Sequence, residues 1–180
     1  MPETKIGFYN WSSIGQNQMD NMVNSYSLKD SIAPQTEYLD ASTCLVLRDN
    51  GFTIYEGQQI PKQEAAVDEE KEIISAFYNR SYVGYVVHSE DSDKAFTMKV
   101  YNLKGQEIFK EDFDFDYDQI TMDDNQILMY NNKQMCIYSL SGVKKFEGDI
   151  KEGVLSKVLP FSPNRYMLVT EGGTCTIKLK

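Results

Sequence analysis

An eleven-residue segment of this chain occurs twice, and this repeat constrains the fold more than any other feature of the sequence. Val100–Lys110 aligns with Ile137–Glu147 at an offset of 37 residues, and both segments read as a β-strand, a glycine turn and a second strand. Fainter copies begin at Thr53 and Thr176, spaced 46 and 40 residues from the neighbouring copies. This period is the size of one four-stranded blade of a β-propeller.

Glycine marks the turn in both strong copies. Gly105 and Gly142 fall where a tight hairpin needs a positive φ angle, a conformation that glycine adopts without steric cost. The repeat therefore predicts a strand–turn–strand hairpin in each unit.

Short runs of β-branched and aromatic residues, separated by turn-forming residues, extend each hairpin to four strands. The two best-defined units predict strands over 72–79, 82–89, 95–103 and 106–115, and over 119–122, 126–130, 134–140 and 143–150. We therefore expect an all-β fold of about four propeller-like antiparallel meanders, over 34–67, 72–115, 119–150 and 156–180. We expect residues 1–180 to form one such domain, as part of a longer chain.

The last unit, 156–180, has sequence for only three strands. The isolated segment Lys5–Trp11 is one candidate for the missing strand, since pairing there would close a ring and cover an exposed edge. In the alternative, the chain belongs to a larger propeller and other sequence covers that edge. Ser12–Ser31 reads as a loop with one helical turn, and Glu64–Glu72 as a short helix or a link between blades.

Charge and composition exclude several classes of partner and site. The chain has 18 basic and 27 acidic residues, a net charge of −9, which opposes binding to phosphate backbones, so we expect no nucleic acid partner. No apolar run reaches the length of a membrane span, and Met1–Tyr9 is too polar for a signal peptide.

Cys44, Cys136 and Cys175 lie far apart among apolar residues, which predicts buried thiols or one disulfide, and no CxxC site.

Acidic residues alternate with aromatic ones in the run 112–118. Asp112, Asp114 and Asp116 resemble the start of a calcium loop, but Tyr117 stands where that loop needs glycine and Asp123 where it needs glutamate. The run is a weak candidate for a cation site. Alternation with a period of two also fits an outer strand whose aromatic side chains face the next blade and whose acids face water.

No catalytic or nucleotide-binding motif is present. The lone histidine, His88, cannot form a histidine-based zinc cluster and reads as a strand-end residue. Tyr9, Trp11, Asp20 and the acidic run are the only candidates for an enzyme site, and nothing in the sequence brings them together. We therefore expect no cofactor and no catalytic residue.

The aromatic residues and two glycosylation-like triplets each have two interpretations. The aromatic residues suit packing between blades or a platform for a carbohydrate or peptide. They are Phe77, Tyr78, Tyr101, Tyr130, Tyr138, Phe146, Phe161 and Tyr166. Asn10-Trp11-Ser12 and Asn79-Arg80-Ser81 match the glycosylation pattern, which has meaning only in a eukaryotic secretory context.

Several segments resemble the C-terminal half of a family of uncharacterised proteins from clostridia-like Gram-positive bacteria. They are Phe8–Trp11, the Gly-Gln-Asn-x-x-Asp-Asn segment from Gly15, the Tyr-x-Leu-x-Gly hairpins that end at Gly105 and Gly142, and the closing strands Tyr166–Thr170 and Thr176–Leu179. The likeness runs over nearly all of the chain. It implies a propeller-like region outside the cytoplasmic membrane, held by an anchor helix that these 180 residues lack. No activity is assigned to that family.

These features favour a non-enzymatic, extracytoplasmic binding or scaffold module whose ligand is a protein, a peptide or a cell-wall component. A propeller-type enzyme would need converging carboxylates or cofactor-stacking rings. A purely structural ectodomain would form a homodimer through an open blade edge.

Overall fold

A computed structural model describes residues 4–10, 21–91 and 93–179 of the chain, and these residues fold into β-strands joined by turns and loops. The strands are β1 (Thr4–Tyr9), β2 (Met22–Leu28), β3 (Gln35–Tyr38), β4 (Thr43–Arg48), β5 (Gly51–Glu56), β6 (Lys62–Asp68), β7 (Ile73–Tyr78), β8 (Tyr82–His88), β9 (Phe96–Asn102), β10 (Glu107–Phe113), β11 (Gln119–Met122), β12 (Gln126–Tyr130), β13 (Gln134–Ser139), β14 (Lys144–Asp149), β15 (Leu155–Ser162), β16 (Arg165–Thr170) and β17 (Gly173–Lys178). Within these ranges no helix has the length and apolar character that crossing a bilayer requires.

The strands form five antiparallel sheets, each built from consecutive strands. We call them the N-terminal sheet (β1–β2), sheet 1 (β3–β6), sheet 2 (β7–β10), sheet 3 (β11–β14) and sheet 4 (β15–β17). The predicted all-β fold of repeated four-stranded meanders is confirmed, as is the three-stranded last unit. The predicted strands of sheets 2 and 3 agree with the observed ones to within two residues, and β10 ends at Phe113 rather than at residue 115.

Each sheet packs face to face on the next, with one apolar cluster at every junction. β4 shows how one strand packs against sheets on both of its faces. Cys44 and Val46 face the N-terminal sheet, whereas Leu45 and Leu47 face sheet 2. Since both faces of the middle strands are buried, these strands read as unbroken apolar runs rather than as alternating ones.

A tyrosine of the third strand fills each of the first three junctions. Tyr55, Tyr101 and Tyr138 each lie opposite the second residue of the preceding strand and belong to the cluster shared with the preceding sheet. In sheet 4 the position is taken by Ile177, and its cross-strand partner Tyr166 supplies the ring. Removal of such a buried aromatic side chain typically costs about 3–5 kcal/mol, so these residues dominate the junctions.

The N-terminal strand does not complete the last sheet, contrary to one of the two alternatives above. β1 pairs with β2, and Phe8 and Leu28 pack on sheet 1. The Tyr26 hydroxyl and Asn24 Nδ2 both donate to the Pro61 carbonyl oxygen at 3.0 Å, which ties the N-terminal sheet to the β5–β6 loop.

Two other local predictions are also wrong. β2 lies within the segment Ser12–Ser31, where the spacing of Met19, Met22, Val23 and Tyr26 at i, i+3, i+4 and i+7 predicts a helical turn; Met19 lies outside the described residues. The pairing shifts opposite Val23, and this bulge lets Val23 and Tyr26 contact the same cluster although they are three residues apart. Glu64–Glu72 is not a helix, because its first five residues belong to β6, where Ala65 and Val67 pack on sheet 2. Residues 69–72 link sheet 1 to sheet 2, as the other alternative for this segment predicts.

The hairpin glycines meet two requirements at once. Gly105 and Gly142 have φ angles of 75° and 81°, as the repeat predicts. Each also lies against the outer strand of the preceding sheet, so that a Cβ atom on Gly142 would come within 3.0 Å of the Phe109 ring. The repeated glycine therefore serves both the turn and the stacking of sheets.

We expect Gly142→Ala to lower the free energy of unfolding by about 1–3 kcal/mol, because it adds positive-φ strain to a close contact with Phe109. Gly173→Ala is the matched control, since Gly173 also has a positive φ angle, 123°, but no atom lies within 4 Å of the position of its Cβ. Urea unfolding of both variants measures the difference. Equal and small losses would contradict the packing role of Gly142.

Candidate binding cleft between sheets 1 and 2

The acidic run lies on the outer edge of sheet 2. Phe113 and Phe115 are buried in the cluster between sheets 2 and 3, whereas Asp112, Asp114 and Asp116 are exposed. This is the arrangement that a period of two predicts for an outer strand, continued past the end of β10.

Asp112 and Asp114 accept hydrogen bonds from the adjacent β8–β9 hairpin. Asp112 accepts hydrogen bonds from the hydroxyls of Thr97 and Ser89, and Asp114 accepts one from the Ala95 N–H at 2.8 Å. Among the described residues, no three His, Cys, Asp or Glu side chains are arranged to hold a metal ion. The structure therefore does not bring Asp112, Asp114 and Asp116 together as a cation site.

The histidine and the three cysteines pack against other side chains of the fold. His88 ends β8 and stacks on Phe96 with 6.1 Å between ring centroids. Cys44 and Cys136 are buried, Cys175 is half-buried, and all three are free thiols, so the disulfide alternative is wrong. Burial, assisted by nearby glutamates, raises the pKa of Cys44 to about 11 and that of Cys136 to about 12, which keeps both thiols protonated.

The other candidate residues do not converge. Tyr9 lies on the N-terminal sheet, in a groove against sheet 1, whereas the acidic run begins on sheet 2. Trp11 and Asp20 lie outside the described residues, as does most of the distinctive segment from Gly15. Asn79 has a structural role, because its Nδ2 donates a hydrogen bond to the Asp123 carbonyl oxygen of sheet 3 at 2.8 Å.

Most of the predicted aromatic residues pack between sheets. Tyr101, Tyr130, Tyr138, Tyr166 and Phe77 are buried, and Tyr78 and Phe146 are partly buried against the clusters. Phe161 is 59% exposed, so the expectation that it packs between blades is wrong.

A cleft of about 520 Å³ opens between sheets 1 and 2. It is lined by the end of β6 and the β6–β7 loop, by residues of β8, β9 and β10, and by the start of the β8–β9 loop. The lining residues are Asp68, Glu69, Glu70, Lys71, Tyr85, Val87, Ser89, Glu90, Asp91, Thr97, Lys99, Tyr101, Lys110 and Asp112.

An ion pair lies at the base of this cleft. Lys99 Nζ is 2.6 Å from Glu69 Oε2, and the two side chains are only 21% and 6% exposed. The backbone N–H of Lys71 also donates to Glu69 Oε1 at 3.2 Å. Lys99 lies 6.0 Å above the ring of Tyr85, whose hydroxyl is 3.1 Å from that of Tyr101.

The surroundings hold both partners of this pair in their charged forms. Burial alone would raise the pKa of Glu69, but the hydrogen bonds from Lys99 and Lys71 and the charge of Lys99 lower it. Burial would likewise lower the pKa of Lys99, and Glu69 reverses that effect and raises it. Burial raises the pKa of Tyr85, so its hydroxyl stays neutral. These groups can attract and orient a charged ligand, but they do not exchange protons near neutral pH.

One feature of the sequence, a lone charge in an otherwise uncharged strand, indicates this site although it belongs to no known motif. Lys99 is the only charged residue of β9, a third strand that is otherwise apolar or uncharged. A single charge inside such a strand needs a partner nearby. Glu69 could not be chosen from among Glu64, Asp68, Glu70 and Glu72, because only the path of the β6–β7 loop selects it.

The family model of a family of unknown function, DUF5711, matches residues 2–179. The chain belongs to this family. Membership in DUF5711 assigns no activity, and no curated protein sequence matches the chain.

Solved structures similar to this DUF5711 chain show its fold. Hsv2 from Kluyveromyces lactis has a TM-score of 0.51 and 16% identity, with 84% of this chain and 47% of Hsv2 covered. A chain of the mitotic checkpoint complex has a TM-score of 0.55 and 12% identity, covering 93% and 52%. The computationally designed protein Ika4 has a TM-score of 0.56 and 11% identity, covering 84% and 93%.

These likenesses concern the propeller-like stacking of sheets alone. The chain spans about half the length of Hsv2 and of the matched checkpoint chain.

We expect Glu69→Gln to lower the free energy of unfolding by about 1–3 kcal/mol at pH 7, because Lys99 is then left without its counter-charge. The folded-state pKa of Glu69 lies below its unfolded value. Its stabilisation is therefore complete above the unfolded pKa of about 4.3 and is lost as pH falls through the lower folded pKa.

Urea unfolding of wild type and Glu69→Gln at pH 7 and pH 3 measures this, with the exposed Glu152→Gln as control. The gap between wild type and Glu69→Gln should shrink at pH 3. A gap of the same size at both pH values would contradict the role of the ion pair.

Proposed function

We propose that this chain is a non-enzymatic binding or scaffold module that holds another protein or a peptide at the cleft between sheets 1 and 2. The observation that carries the proposal is the Glu69–Lys99 pair, whose fixed charges lie at the base of an open cleft. Loops and rims on a rigid stack of sheets are common binding surfaces.

The chemistry of the described residues supports binding rather than catalysis. The two buried thiols, Cys44 and Cys136, stay protonated, and the ion pair does not titrate near neutral pH. A general acid or base works best with a pKa near the operating pH. A chain of similar fold occurs in the mitotic checkpoint complex, which is consistent with a scaffold role for stacked sheets of this kind.

The charge of the cleft favours a basic partner group. Six carboxylates and three lysines line it, and Glu69, Glu90 and Asp68 already pair with Lys99, Lys71 and Arg48. Glu70, Asp91 and Asp112 lie outside these ion pairs, so a lysine or arginine side chain of a partner gains attraction from them.

The test is binding of a synthetic peptide of alternating lysine and serine, measured by isothermal titration calorimetry at low salt. We expect the double variant Glu70→Gln/Asp91→Asn to bind at least several-fold more weakly than wild type, because both carboxylates line the cleft outside the ion pairs named above.

Asp124→Asn/Glu152→Gln is the matched control, because it removes the same two charges outside the cleft. Equal weakening in both variants would mean that the peptide responds only to net charge, which would overturn the cleft as the site. A peptide of alternating glutamate and serine should not bind.

We further propose that the chain lies outside the cytoplasmic membrane, a location supported by its resemblance to anchored, propeller-like proteins. A membrane-impermeant maleimide should label the half-buried Cys175 in intact cells. Cys175→Ser supplies the background, since the other two thiols are buried. Labelling that requires cell lysis would contradict this location.

A further inference from the structure

A second groove, which we call the N-terminal groove, lies between the N-terminal sheet and sheet 1 and has a volume of about 490 Å³. Volumes of about 300–1,000 Å³ are typical of sites for small organic ligands. The described part of its lining comes from the end of β1, from β2, from the β3–β4 hairpin and from four residues of the loop before β6. The cleft involves the last residue of β6 and the loop after it, so the two are separate surfaces.

The N-terminal groove differs from the cleft in charge. None of the lining residues that the structure describes is charged, although charged residues make up 25% of the chain and its net charge is −9. In the cleft, by contrast, nine of the fourteen lining residues are charged. A charged ligand would lose hydration in the groove without gaining a counter-charge from its described lining. The groove therefore favours an uncharged ligand.

Tyr38 presents an aromatic ring to this groove. It ends β3 and pairs with Cys44, whose side chain packs in the cluster shared with the N-terminal sheet. Residues directly opposite each other in an antiparallel pair share a face, so Tyr38 is directed toward the same sheet. It is 63% exposed, and its hydroxyl bonds to no other described residue. Partial burial, assisted by Cys44, raises the pKa of Tyr38, so the hydroxyl stays uncharged.

Two glutamines of the β5–β6 loop add amide groups to the lining. Gln58 and Gln59 are exposed, and neither side chain bonds to another described residue. A glutamine amide has both a hydrogen-bond donor and an acceptor, and so has the hydroxyl of a tyrosine. These groups therefore match a ligand whose own polar groups both donate and accept, as hydroxyls do.

The loop that carries the two glutamines is fixed at both ends. The Gly57 N–H donates to the Ser42 carbonyl oxygen at 2.8 Å, which joins the loop to the β3–β4 hairpin. At the other end, the Pro61 carbonyl oxygen accepts the two hydrogen bonds from β2. Gly57 has a φ angle of 136°, and a Cβ atom there would lie 2.8 Å from the Ile60 carbonyl oxygen, so the loop requires glycine. A site that is ordered in advance loses less conformational entropy on binding.

We propose that the N-terminal groove binds an uncharged carbohydrate, whose ring stacks on Tyr38 and whose hydroxyls bond to Gln58 and Gln59. A sugar ring has apolar C–H faces, which suit an aromatic surface, and hydroxyls around its edge, which both donate and accept. A proline-rich peptide also binds in grooves lined by aromatic rings, but proline has no N–H, so such a peptide offers mainly acceptors. The acceptor oxygens of the two amides therefore favour the sugar.

The experiment titrates the chain with cellohexaose, chitohexaose and maltohexaose, three uncharged oligosaccharides, in isothermal titration calorimetry. At least one of them should bind. Tyr38→Ala should weaken that binding roughly tenfold, because it removes the stacking surface, whereas Tyr38→Phe should keep most of it. Phe161→Ala is the matched control, since Phe161 is 59% exposed, as Tyr38 is 63% exposed, but does not line the groove.

Nuclear magnetic resonance of the wild-type chain gives a second readout that does not depend on any variant. The sugar that binds should shift the side-chain NH₂ resonances of Gln58 and Gln59 and leave those of Gln119, an exposed residue of β11, unchanged.

Three results would overturn the proposal. They are no binding of the three sugars, equal weakening by Tyr38→Ala and Phe161→Ala, and binding of decaproline alone, which would assign the groove to a proline-rich peptide. The cleft variant Glu70→Gln/Asp91→Asn should bind the sugar as wild type does, and Tyr38→Ala should bind the lysine–serine peptide as wild type does. The failure of either proposal is therefore distinguishable from that of the other.

Discussion

Burial of third-strand side chains against the preceding sheet is the interaction on which the rest of the structure depends. The Tyr55 ring packs on Phe8 and Tyr26 of the N-terminal sheet, and the Tyr101 ring on Phe52 of sheet 1, with ring centroids 4.6–5.6 Å apart. Because each middle sheet must cover two faces, no sheet is stable alone and stability rests on contacts between neighbours. The N-terminal sheet has only two strands, yet it supplies the cover that sheet 1 needs.

The proposed cleft lies where apolar packing between sheets 1 and 2 gives way to charge. Tyr85, Val87 and Tyr101 belong to the apolar cluster between these sheets, and they also line the cleft beside the ion pair of Glu69 and Lys99. The site is therefore built on side chains that join two sheets, and this suits a scaffold.

Much of the fold was predictable because the repeat is local. The Tyr-x-Leu segments and the glycines at 105 and 142 fix strand, turn and strand in consecutive order, and antiparallel pairing then follows from short connections. The prediction failed at β2, where a bulge at Val23 imitates helical spacing. It also failed for β1, because the choice between two possible partners depends on which sheet Phe8 can bury itself against.

The cleft was beyond sequence reasoning for a different physical reason. Lys99 and Glu69 are 30 residues apart on different elements, and their approach to 2.6 Å is set by the stacking of two sheets rather than by spacing along the chain. The acidic run, conspicuous in the sequence, begins at the end of outer strand β10 and continues beyond it, and the alternation that it shows places Phe113 and Phe115 in the core.

Nuclear Overhauser contacts between aromatic rings test the stacking most directly. The structure places the Phe52 and Tyr101 rings of adjacent sheets 5.6 Å apart and the Phe8 and Tyr55 rings 5.2 Å apart, centroid to centroid. Cross-peaks between the ring protons of both pairs are the predicted result. Their absence, in spectra that show the contacts within each sheet, would contradict the account.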